Sequence, residues 1–440
     1  MKVNNVNKYV RVPRVSSTPF NKFLIPHEIH TTFNAGKLVP VYCKEIYPNT
    51  RVRLRWNTIT RLLTPKYPTM DRAYLDVFFF FVPNIELWDN FKAFFGENNV
   101  DYWTEKTIYN VPQQNVPLRT FKNKPDVGVN TPGRQIGDLA DYLGVPILNV
   151  PYEDATSQNY TSVTALPFRA YVKVWNDWFR DENFQEPCKL TTGDNAPLLY
   201  PNWSTADREE DGTVKDYVKY AETGAVLCPV GKYKDYFTSL LPAPQKGDPV
   251  SLPLSNIAPV VTDKGNYTRI SWHTRDNTPF GISGVVLGAL GSSQNPTFKK
   301  TVSMQGFEPT SSKEIEADLS VDLSAATSVT VEQLRLAFAT QRFLEMSSVG
   351  GTRYVELVAY MFGANCPDEY LHRSKFLGGK SVPINVTPIT QLSGSATESL
   401  GQVGAFSSTS GEDLAFDEKF EEHGYILGLV CVRTSHSYSQ

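Results

Sequence analysis

The chain has 440 residues, of which 41% are hydrophobic and 20% charged, and this balance excludes an intrinsically disordered protein. The formal net charge of −3 is close to neutral, so it excludes no class of partner. The abundant aromatic residues, the 30 prolines and the 28 glycines are typical of short strands joined by long loops.

The first 36 residues are predicted to form an extended basic arm. Prolines interrupt the segment at positions 13, 19 and 26, and no acidic residue occurs before Glu28. Basic side chains without acidic neighbours attract the phosphates of nucleic acids. The candidates for contact with DNA in this arm are Lys2, Lys8, Arg11 and Arg14.

The next two predicted strands, Leu38–Ile46 and Val52–Leu63, carry a second basic cluster. Side chains alternate between the two faces of a strand, which places Val52, Leu54 and Trp56 on one face. The opposite face then carries three further candidates for contact with DNA, Arg51, Arg53 and Arg55. Two interpretations stay open at this point, because exposed arginines also occur on ordinary solvated surfaces.

Ala73–Pro83 is predicted to be a strand that is buried on both faces. Its four consecutive phenylalanines, Phe78–Phe81, leave no polar alternation, so each face needs an apolar cover. Apolar residues at helical spacing predict aromatic helices over Asn84–Gly96 and Leu166–Phe179. We expect a second sheet on one face of the strand and these helices on the other.

Residues 247–329 differ in composition from the rest of the chain and are predicted to be a surface insertion. They are rich in Gly, Ser and Pro, and no residue from 277 to 298 is charged. The apolar stretch within them is too short and too interrupted by glycine for a membrane helix. The residues of this apolar tip, which we expect to meet copies of itself, are Gly281, Ile282, Val285, Val286, Leu287 and Leu290.

Helical periodicity resumes at Thr330, where the sequence predicts a capping box and the start of a long helix. The pair Gly350-Gly351 is expected to end this helix before a second one begins. Residues 377–416 are rich in Gly, Ser and Thr and are predicted to be a loop. Gly424–Val432 is predicted to be the last apolar strand.

No motif predicts catalysis, a bound metal or a cofactor. His27 and His30 are three residues apart, whereas a zinc-binding histidine pair on a helix needs a spacing of four. The stretch GGKS at 378–381 resembles the end of a phosphate-binding loop, but Ser374 stands where that loop needs its first glycine. No nucleophile-elbow motif is present either.

The cysteines and the apolar spans indicate the cellular setting. Five widely spaced cysteines without a Cys-x-x-Cys pair favour free thiols in a reducing compartment. The N-terminus has no continuous apolar signal region, and no apolar span is long enough to cross a membrane. We expect a soluble protein, made inside a cell and not inserted into membranes.

Five longer stretches, in a fixed order, resemble a known family. They are DVFFFFVPNIELWDNFKAFFGEN, DYFTSLLPAPQKG, QLRLAFATQRFLEMSSVGGTRYVE, LGGKSVPINV and EEHGYILGLVCVR. Together they resemble the major capsid protein of gokushoviruses, which are small icosahedral bacteriophages of the Microviridae with circular single-stranded DNA. The resemblance runs from about residue 20 to the end of the chain.

The resemblance implies a mainly β fold, an eight-stranded antiparallel jelly-roll barrel of the viral capsid type with long inter-strand insertions and a few helices. It also implies a structural, non-enzymatic role without cofactors, in which copies assemble into a T=1 icosahedral shell. The implied partners are packaged single-stranded DNA, the small basic DNA-packaging protein of the phage and a bacterial host surface receptor. The protein would then be a virion component that is assembled in the host cytoplasm.

The resemblance also implies a domain organisation. We expect the arm at 1–36, a first barrel part with helical and loop insertions at 37–246, the insertion at 247–329 and a second barrel part at 330–440. Three copies of the insertion would gather at a threefold axis as a protrusion used in host attachment. Family members continue past the equivalent of Gln440, so we expect the second part to lack the last barrel strand and to leave an open sheet edge.

Two other classes of function stay open from the residues alone. The first is a jelly-roll carbohydrate-binding module or adhesin, in which the insertion would grip a glycan. The second is an enzyme on a β scaffold, which the absence of converging catalytic motifs disfavours.

Overall fold

The structure is a computed structural model. It describes residues 21–63, 71–97, 109–118, 134–147, 160–194, 200–201, 214–238, 240–241, 243–251, 260–261, 272–274, 315–317, 320–321, 330–364, 367–390 and 403–436. The internal contacts divide the chain into two compact units. The first comprises residues 1–240 with 363–440, and the second comprises residues 241–362.

The described residues form strands more often than helices. The strands are β1 (Val39–Ile46), β2 (Thr50–Thr60), β3 (Arg72–Pro83), β4 (Gln113–Pro117), β5 (Tyr160–Thr164), β6 (Val260–Val261), β7 (Trp272–Thr274), β8 (Ile315–Ala317), β9 (Ser320–Val321), β10 (Lys375–Ile384), β11 (Val386–Thr390), β12 (Val403–Ser407), β13 (Thr409–Phe420) and β14 (Gly424–Ser435). The α-helices are α1 (Asn84–Leu87), α2 (Phe91–Phe94), α3 (Leu139–Tyr142), α4 (Leu166–Val174), α5 (Tyr217–Tyr220), α6 (Val331–Val349) and α7 (Tyr354–Phe362).

Four strands of the first unit form an antiparallel sheet in the order β1-β14-β3-β10. Strand β3 matches the predicted strand at 73–83, and between Leu75 and Val82 every residue except Phe78 is buried. Apolar side chains on both faces suit a central strand, because a strand with one wet face would alternate with polar residues. Strand β14 lies between β1 and β3, so it is not an edge strand. The expected absence of a further barrel strand stays a prediction.

A second antiparallel pair, β2 with β13, faces one side of this sheet. The ring centroids of Phe79 and Phe416 are 6.0 Å apart, and those of Phe81 and Phe420 are 4.7 Å apart. These contacts join the two layers through alternate residues of β3, as expected for sheet-on-sheet packing. The prediction of a second sheet over one face of this strand is confirmed.

Helix α4 covers the other face of β3. It continues into a π-helical turn at Trp175–Phe179, whose Trp178 ring lies 5.5 Å from the ring of Phe80. The buried Tyr171 hydroxyl of α4 donates a hydrogen bond to the Leu38 carbonyl oxygen at 2.7 Å. The predicted aromatic helix at 166–179 is therefore confirmed, with a π-helical last turn that sequence periodicity did not indicate.

The predicted helix over residues 84–96 is wrong in its extent. The segment forms two four-residue helices, α1 and α2, and the backbone of Trp88 between them is extended. The Trp88 indole nitrogen donates to Asp194, and the Asn90 side-chain amide donates to the other oxygen of Asp194 at 2.7 Å. These contacts with a distant loop stabilise the break between α1 and α2, where the spacing of apolar residues alone predicted one continuous helix.

The predicted loop at 377–416 is also wrong, because β10, β11, β12 and β13 occupy most of it. Its glycines permit a close approach between strands instead of a turn. A Cβ atom added at Gly378 would lie 2.3 Å from the Ala415 carbonyl oxygen. Both β10 and β13 have a register shift at this point of contact. The predicted last strand is confirmed and runs on to Ser435.

The second unit contains the predicted pair of helices, α6 and α7. Thr330 and Gln333 form the predicted capping box, with both of its hydrogen bonds at 3.2 Å. The helix ends at Gly350-Gly351 as expected, and Gly351 has a positive φ of 98°. Short antiparallel pairs, β6 with β9 and β7 with β8, belong to the same unit. The predicted apolar tip around Gly281–Gly291 lies outside the described residues.

The fold is mainly β, and every strand pairing among the described residues is antiparallel. The prediction is confirmed at this level. The described strands form one four-stranded sheet and several two-stranded ones, and they do not close into a barrel.

Candidate nucleic-acid interface

The predicted arginine row lies on the outer face of β2. Arg51, Arg53 and Arg55 are all exposed. The opposite face carries half-buried side chains that pack on the hydrophobic core, Val52, Leu54 and Trp56. A shift of one residue would bury the arginines and expose the apolar side chains, so the core fixes which face the arginines occupy.

Arg51 has an acidic partner across the strand pair. Its Nε donates to Asp417 Oδ1 at 2.8 Å, while 72% of the Arg51 side chain stays exposed. This hydrogen bond raises the pKa of Arg51 and lowers the pKa of Asp417. Asp417 is also the register partner of Arg53. An exposed ion pair of this kind contributes little to stability, so its main effect is to offset part of the local positive charge.

The outer face of the β2–β13 pair remains positive in spite of Asp417. Exposed Lys419 is the register partner of Arg51 and adds a fourth cation to the arginine row. The face therefore carries four cations, Arg51, Arg53, Arg55 and Lys419, against two carboxylates, Asp417 and Glu412, the register partner of Asn57. Lys419 was not among the candidates, because it lies 364 positions after Arg55 and only the strand pairing brings the two together.

The described part of the basic arm, residues 21–36, has no helix or strand. His27 Nε2 lies 3.0 Å from the Val41 carbonyl oxygen, and the Tyr142 hydroxyl donates to the Thr32 carbonyl oxygen at 2.7 Å. These contacts fix the segment next to β1. The arm candidates Lys2, Lys8, Arg11 and Arg14 lie outside the described residues, as do Gly281, Ile282, Val285, Val286, Leu287 and Leu290.

Sequence reasoning missed a buried ion pair at one end of β3. Arg433 Nη2 lies 2.5 Å from Asp76 Oδ2, and the Tyr233 hydroxyl lies 2.8 Å from both Asp76 oxygens. The cluster borders a cavity of about 320 Å³ that is lined by Tyr74, Tyr233, Ser381 and Ser435. Because Asp76 and Arg433 neutralise each other, the cluster offers little charge to a ligand. One signal could have found it, since Asp76 interrupts an otherwise apolar strand.

The described residues give no geometry for catalysis or metal binding. Within the described ranges, no three His, Cys, Asp or Glu side chains are grouped as metal ligands would be. The GGKS stretch lies inside strand β10, and Lys380 Nζ is 2.9 Å from Asp413. A strand conformation does not present the ring of backbone amides that a phosphate loop needs. No described helix has the length and apolar character to cross a bilayer.

Four of the cysteines lie in described positions and are free thiols. They are Cys43, Cys188, Cys228 and Cys431. Cys188 Sγ and Cys228 Sγ are 3.8 Å apart without a covalent bond. Burial raises the pKa of Cys43 and of Cys431 to about 12, which disfavours the reactive thiolate form.

Comparison with known proteins identifies the family. A family model described as capsid protein (F protein) matches residues 13–440. The capsid protein VP1 of Bdellovibrio phage phiMH2K is 33% identical over 446 residues, which cover 99% of this chain and 73% of that protein. VP1 of Spiroplasma virus 4 is 34% identical over 428 residues, covering 96% and 70%. VP1 of Chlamydia phage 1 is 30% identical over 471 residues, covering 99% and 74%.

These matches span nearly the whole chain and confirm the resemblance found in the sequence. A protein of this family has a structural and not a catalytic role. The chain belongs to the phage capsid protein (F protein) family, in the gokushovirus group of the Microviridae, and is a structural component of the virion.

Proposed function

We propose that copies of this chain assemble into a T=1 icosahedral shell that encloses a circular single-stranded DNA genome. Membership of the capsid protein family supports the assembly of copies. The observation that supports DNA contact is the arginine row on β2, because a strand packed on the core holds it in one orientation. The outer face of the β2–β13 pair is then the inner, DNA-facing surface of the shell.

The fold proposed for this shell subunit is an eight-stranded jelly roll. Six of the described strands support it, in two facing antiparallel layers: β1, β14, β3 and β10 in one layer, β13 and β2 in the other. The phenylalanine contacts between the layers form the core of such a double sheet. Two further strands would complete the eight.

The arginine row suits a flexible, negatively charged strand. Alternate residues of a β-strand are about 6.7 Å apart, so three arginines offer cations over about 13 Å. Contacts of this kind bind phosphates without reading the base sequence. A shell protein needs this property, because the same surface must meet different parts of one genome.

Salt dependence of DNA binding tests the proposal. The variant Arg51→Gln/Arg53→Gln/Arg55→Gln removes three cations from the exposed face and leaves the packed face of β2 unchanged. Each phosphate contact adds about 0.7 to the slope of log affinity against log salt for single strands, so we expect the slope to fall by about 2. The measurement is fluorescence anisotropy of dissociated subunits with a labelled single-stranded oligonucleotide, from low to moderate salt.

A matched control removes three exposed cations that lie outside β2 and β13, through Lys92→Gln, Lys189→Gln and Lys234→Gln. This control changes the net charge equally and should leave the slope nearly intact. The single variant Asp417→Asn should tighten binding, because it releases the charge of Arg51. Equal loss in the arginine variant and the lysine control would contradict a DNA-facing role for β2.

The basic arm is proposed as a second contact with DNA, through Lys2, Lys8, Arg11 and Arg14. Its support is the run of cations without acids before Glu28. A small basic DNA-packaging protein is a further proposed partner, which would neutralise phosphates that this nearly neutral chain leaves unpaired. Alanine at the four arm positions should reduce the DNA retained by shells in a salt-dependent way, and unchanged retention would leave the arm a structural role only.

The insertion at 247–329 is proposed as a threefold protrusion that meets a bacterial surface receptor. The uncharged apolar tip at Gly281–Gly291 supports this, because three copies can bury it against one another. Replacing the tip with a polar linker of equal length should reduce attachment to host cells while the DNA content of the particles stays constant. Unchanged attachment would contradict this part of the proposal.

A further inference from the structure

An exposed group of aromatic rings lies where three chain turns of the first unit meet. We call it the aromatic patch and define it as Tyr47, Phe94, Phe95 and His423. Tyr47 is 60% exposed, Phe94 44% and Phe95 59%, and His423 is half-buried. Ring centroids join Tyr47 to His423 at 6.1 Å, His423 to Phe95 at 4.8 Å and Phe95 to Phe94 at 5.4 Å. The four side chains therefore form one continuous surface.

The backbone under the patch is tied together by hydrogen bonds between the turns. The turn after β1 is joined to the end of β13, since Asn49 N donates to the Phe420 carbonyl oxygen at 2.8 Å. The start of α1 is joined to the turn after β13, since Asn84 N donates to the His423 carbonyl oxygen at 2.9 Å. The three segments that carry the patch are thus held at fixed positions.

The side chains of the patch are also supported from below. The ring of Phe94 lies 5.4 Å from that of Trp88, which is only 1% exposed and hydrogen-bonded to Asp194. The Thr192 hydroxyl donates to Asp89 Oδ2 at 2.8 Å and secures the same turn. Rigid aromatic side chains on a fixed backbone lose little entropy on binding, which is characteristic of the residues that dominate protein interfaces.

We propose that the aromatic patch is a contact surface for a second copy of this chain in the shell. This inference rests on the proposed function, because it names one of the contacts through which the shell forms. Each ring can bury about 150–250 Å² and is about half exposed here, so three rings offer roughly 300 Å². A stable interface needs about 800 Å² from each partner. The patch is therefore the apolar centre of a contact, surrounded by a polar rim.

The charge of this rim selects the partner. Exposed charged residues within two positions of the patch are one cation, Lys92, and four acids, Glu45, Glu97, Glu421 and Glu422. An acidic rim repels DNA phosphates and attracts basic surface. The same chain offers exposed cations that are not assigned to DNA, such as Lys189 and Lys234. A second copy therefore fits the patch better than DNA does.

The rim also fixes the type of contact. If two patches met face to face, the acids of one copy would lie against the acids of the other. The patch must therefore meet a different surface of its neighbour, in a heterologous contact. Contacts of this type form rings where the rotation between neighbours closes, which is the arrangement around a symmetry axis of a shell.

The first experiment measures assembly of Phe95→Ser against the matched control Phe184→Ser. Phe184 is 64% exposed, close to the 59% of Phe95, and lies in the loop after the π-helical turn. We expect Phe95→Ser to raise the subunit concentration needed for shells about tenfold, and the control to leave it nearly unchanged. Sedimentation and electron microscopy report shells, and the unfolding midpoint of the free subunits shows whether each variant is folded.

The second experiment identifies what covers the patch. A photo-crosslinking amino acid replaces Phe95, and shells are assembled from a mixture of light and heavy isotope-labelled subunits. Crosslinked peptides that join light to heavy chains support the proposal. Crosslinks confined to one chain, for example to the segment 98–108 that follows Glu97, would overturn it, and so would crosslinks to DNA alone.

The outcomes separate this inference from the proposed function. If wild-type subunits form shells and folded Phe95→Ser subunits form them equally well, the inference is wrong and the proposed function stands. If wild-type subunits form no shells under any assembly condition, both the proposed function and this inference are wrong. Equal loss of assembly in Phe95→Ser and Phe184→Ser would also overturn the assignment of this patch.

Discussion

The substitution Phe80→Ala tests whether the helix-covered face of β3 stabilises the first unit. Phe80 is 1% exposed, and its ring centroid lies 5.5 Å from Trp178, 5.9 Å from Phe179 and 5.4 Å from Phe376. Truncation of a buried phenylalanine to alanine costs about 3–5 kcal/mol, because apolar contact is lost and a cavity remains. Each aromatic pair accounts for about 0.5–1.5 kcal/mol of such a loss.

We therefore expect Phe80→Ala to lower the free energy of unfolding by about 4 kcal/mol. A domain has only about 5–15 kcal/mol of net stability, so the variant should unfold at a much lower urea concentration. Urea unfolding of dissociated subunits, followed by tryptophan fluorescence and circular dichroism, measures this change. Phe80→Leu keeps most of the buried volume and should cost less than about 1.5 kcal/mol.

The exposed Phe184 provides the control, since Phe184→Ala should change stability by about 0.5 kcal/mol or less. A loss below about 1 kcal/mol in Phe80→Ala would refute the reasoning. That result would mean that α4 and the π-helical turn pack loosely on the sheet, and that β3 is stabilised by the facing β2–β13 layer alone.

Two further changes test other parts of the first unit. Gly378→Ala should cost about 1–3 kcal/mol in the same urea assay, because the new Cβ meets the Ala415 carbonyl oxygen at 2.3 Å, while Gly193→Ala, with nothing within 4 Å, should be nearly neutral. Burial raises the pKa of Glu222 above its ordinary 4.5 although Arg169 lies 3.4 Å away, so the folded chain holds this proton more tightly than the unfolded chain does. The contribution of Glu222 to the free energy of unfolding therefore falls as pH rises from 4.5 through the raised pKa. Over that pH range, Glu222→Gln should gain stability relative to wild type. A loss of stability relative to wild type as pH rises would instead place the pKa of Glu222 below 4.5.

Local patterns predicted the elements that are defined by their own residues. The four phenylalanines at 78–81 predicted a strand covered on both faces, because no alternation with polar residues was present. The alternation from Arg51 to Trp56 predicted which side chains of β2 are exposed. The pair Gly350-Gly351 predicted the end of α6. In each case the physical cause lies within a few residues, so the sequence alone is sufficient.

Contacts between distant residues account for what sequence reasoning missed. Strand β10 was interpreted as a loop because glycines such as Gly378 are typical of turns. In the structure, the missing side chain of Gly378 allows close contact with the backbone of Ala415, 37 positions later in the chain. The ion pair of Asp76 with Arg433 joins residues 357 positions apart. Lys419 joins the arginine row only through the pairing of β13 with β2.

The three kinds of variant should have different and separable effects, because they act on different surfaces of one unit. The arginine row lies on the outer face of the β2–β13 pair, and the aromatic patch is an apolar surface formed at three turns. Phe80 is buried on the helix-covered face of β3. Loss of the row should reduce DNA binding and leave the free energy of unfolding nearly constant, since exposed arginines contribute little to stability. Phe95→Ser should reduce assembly of subunits that still fold and bind DNA. Phe80→Ala should weaken folding, assembly and DNA binding together. Correlated loss of DNA binding and assembly in folded surface variants would instead mean that one surface serves both contacts.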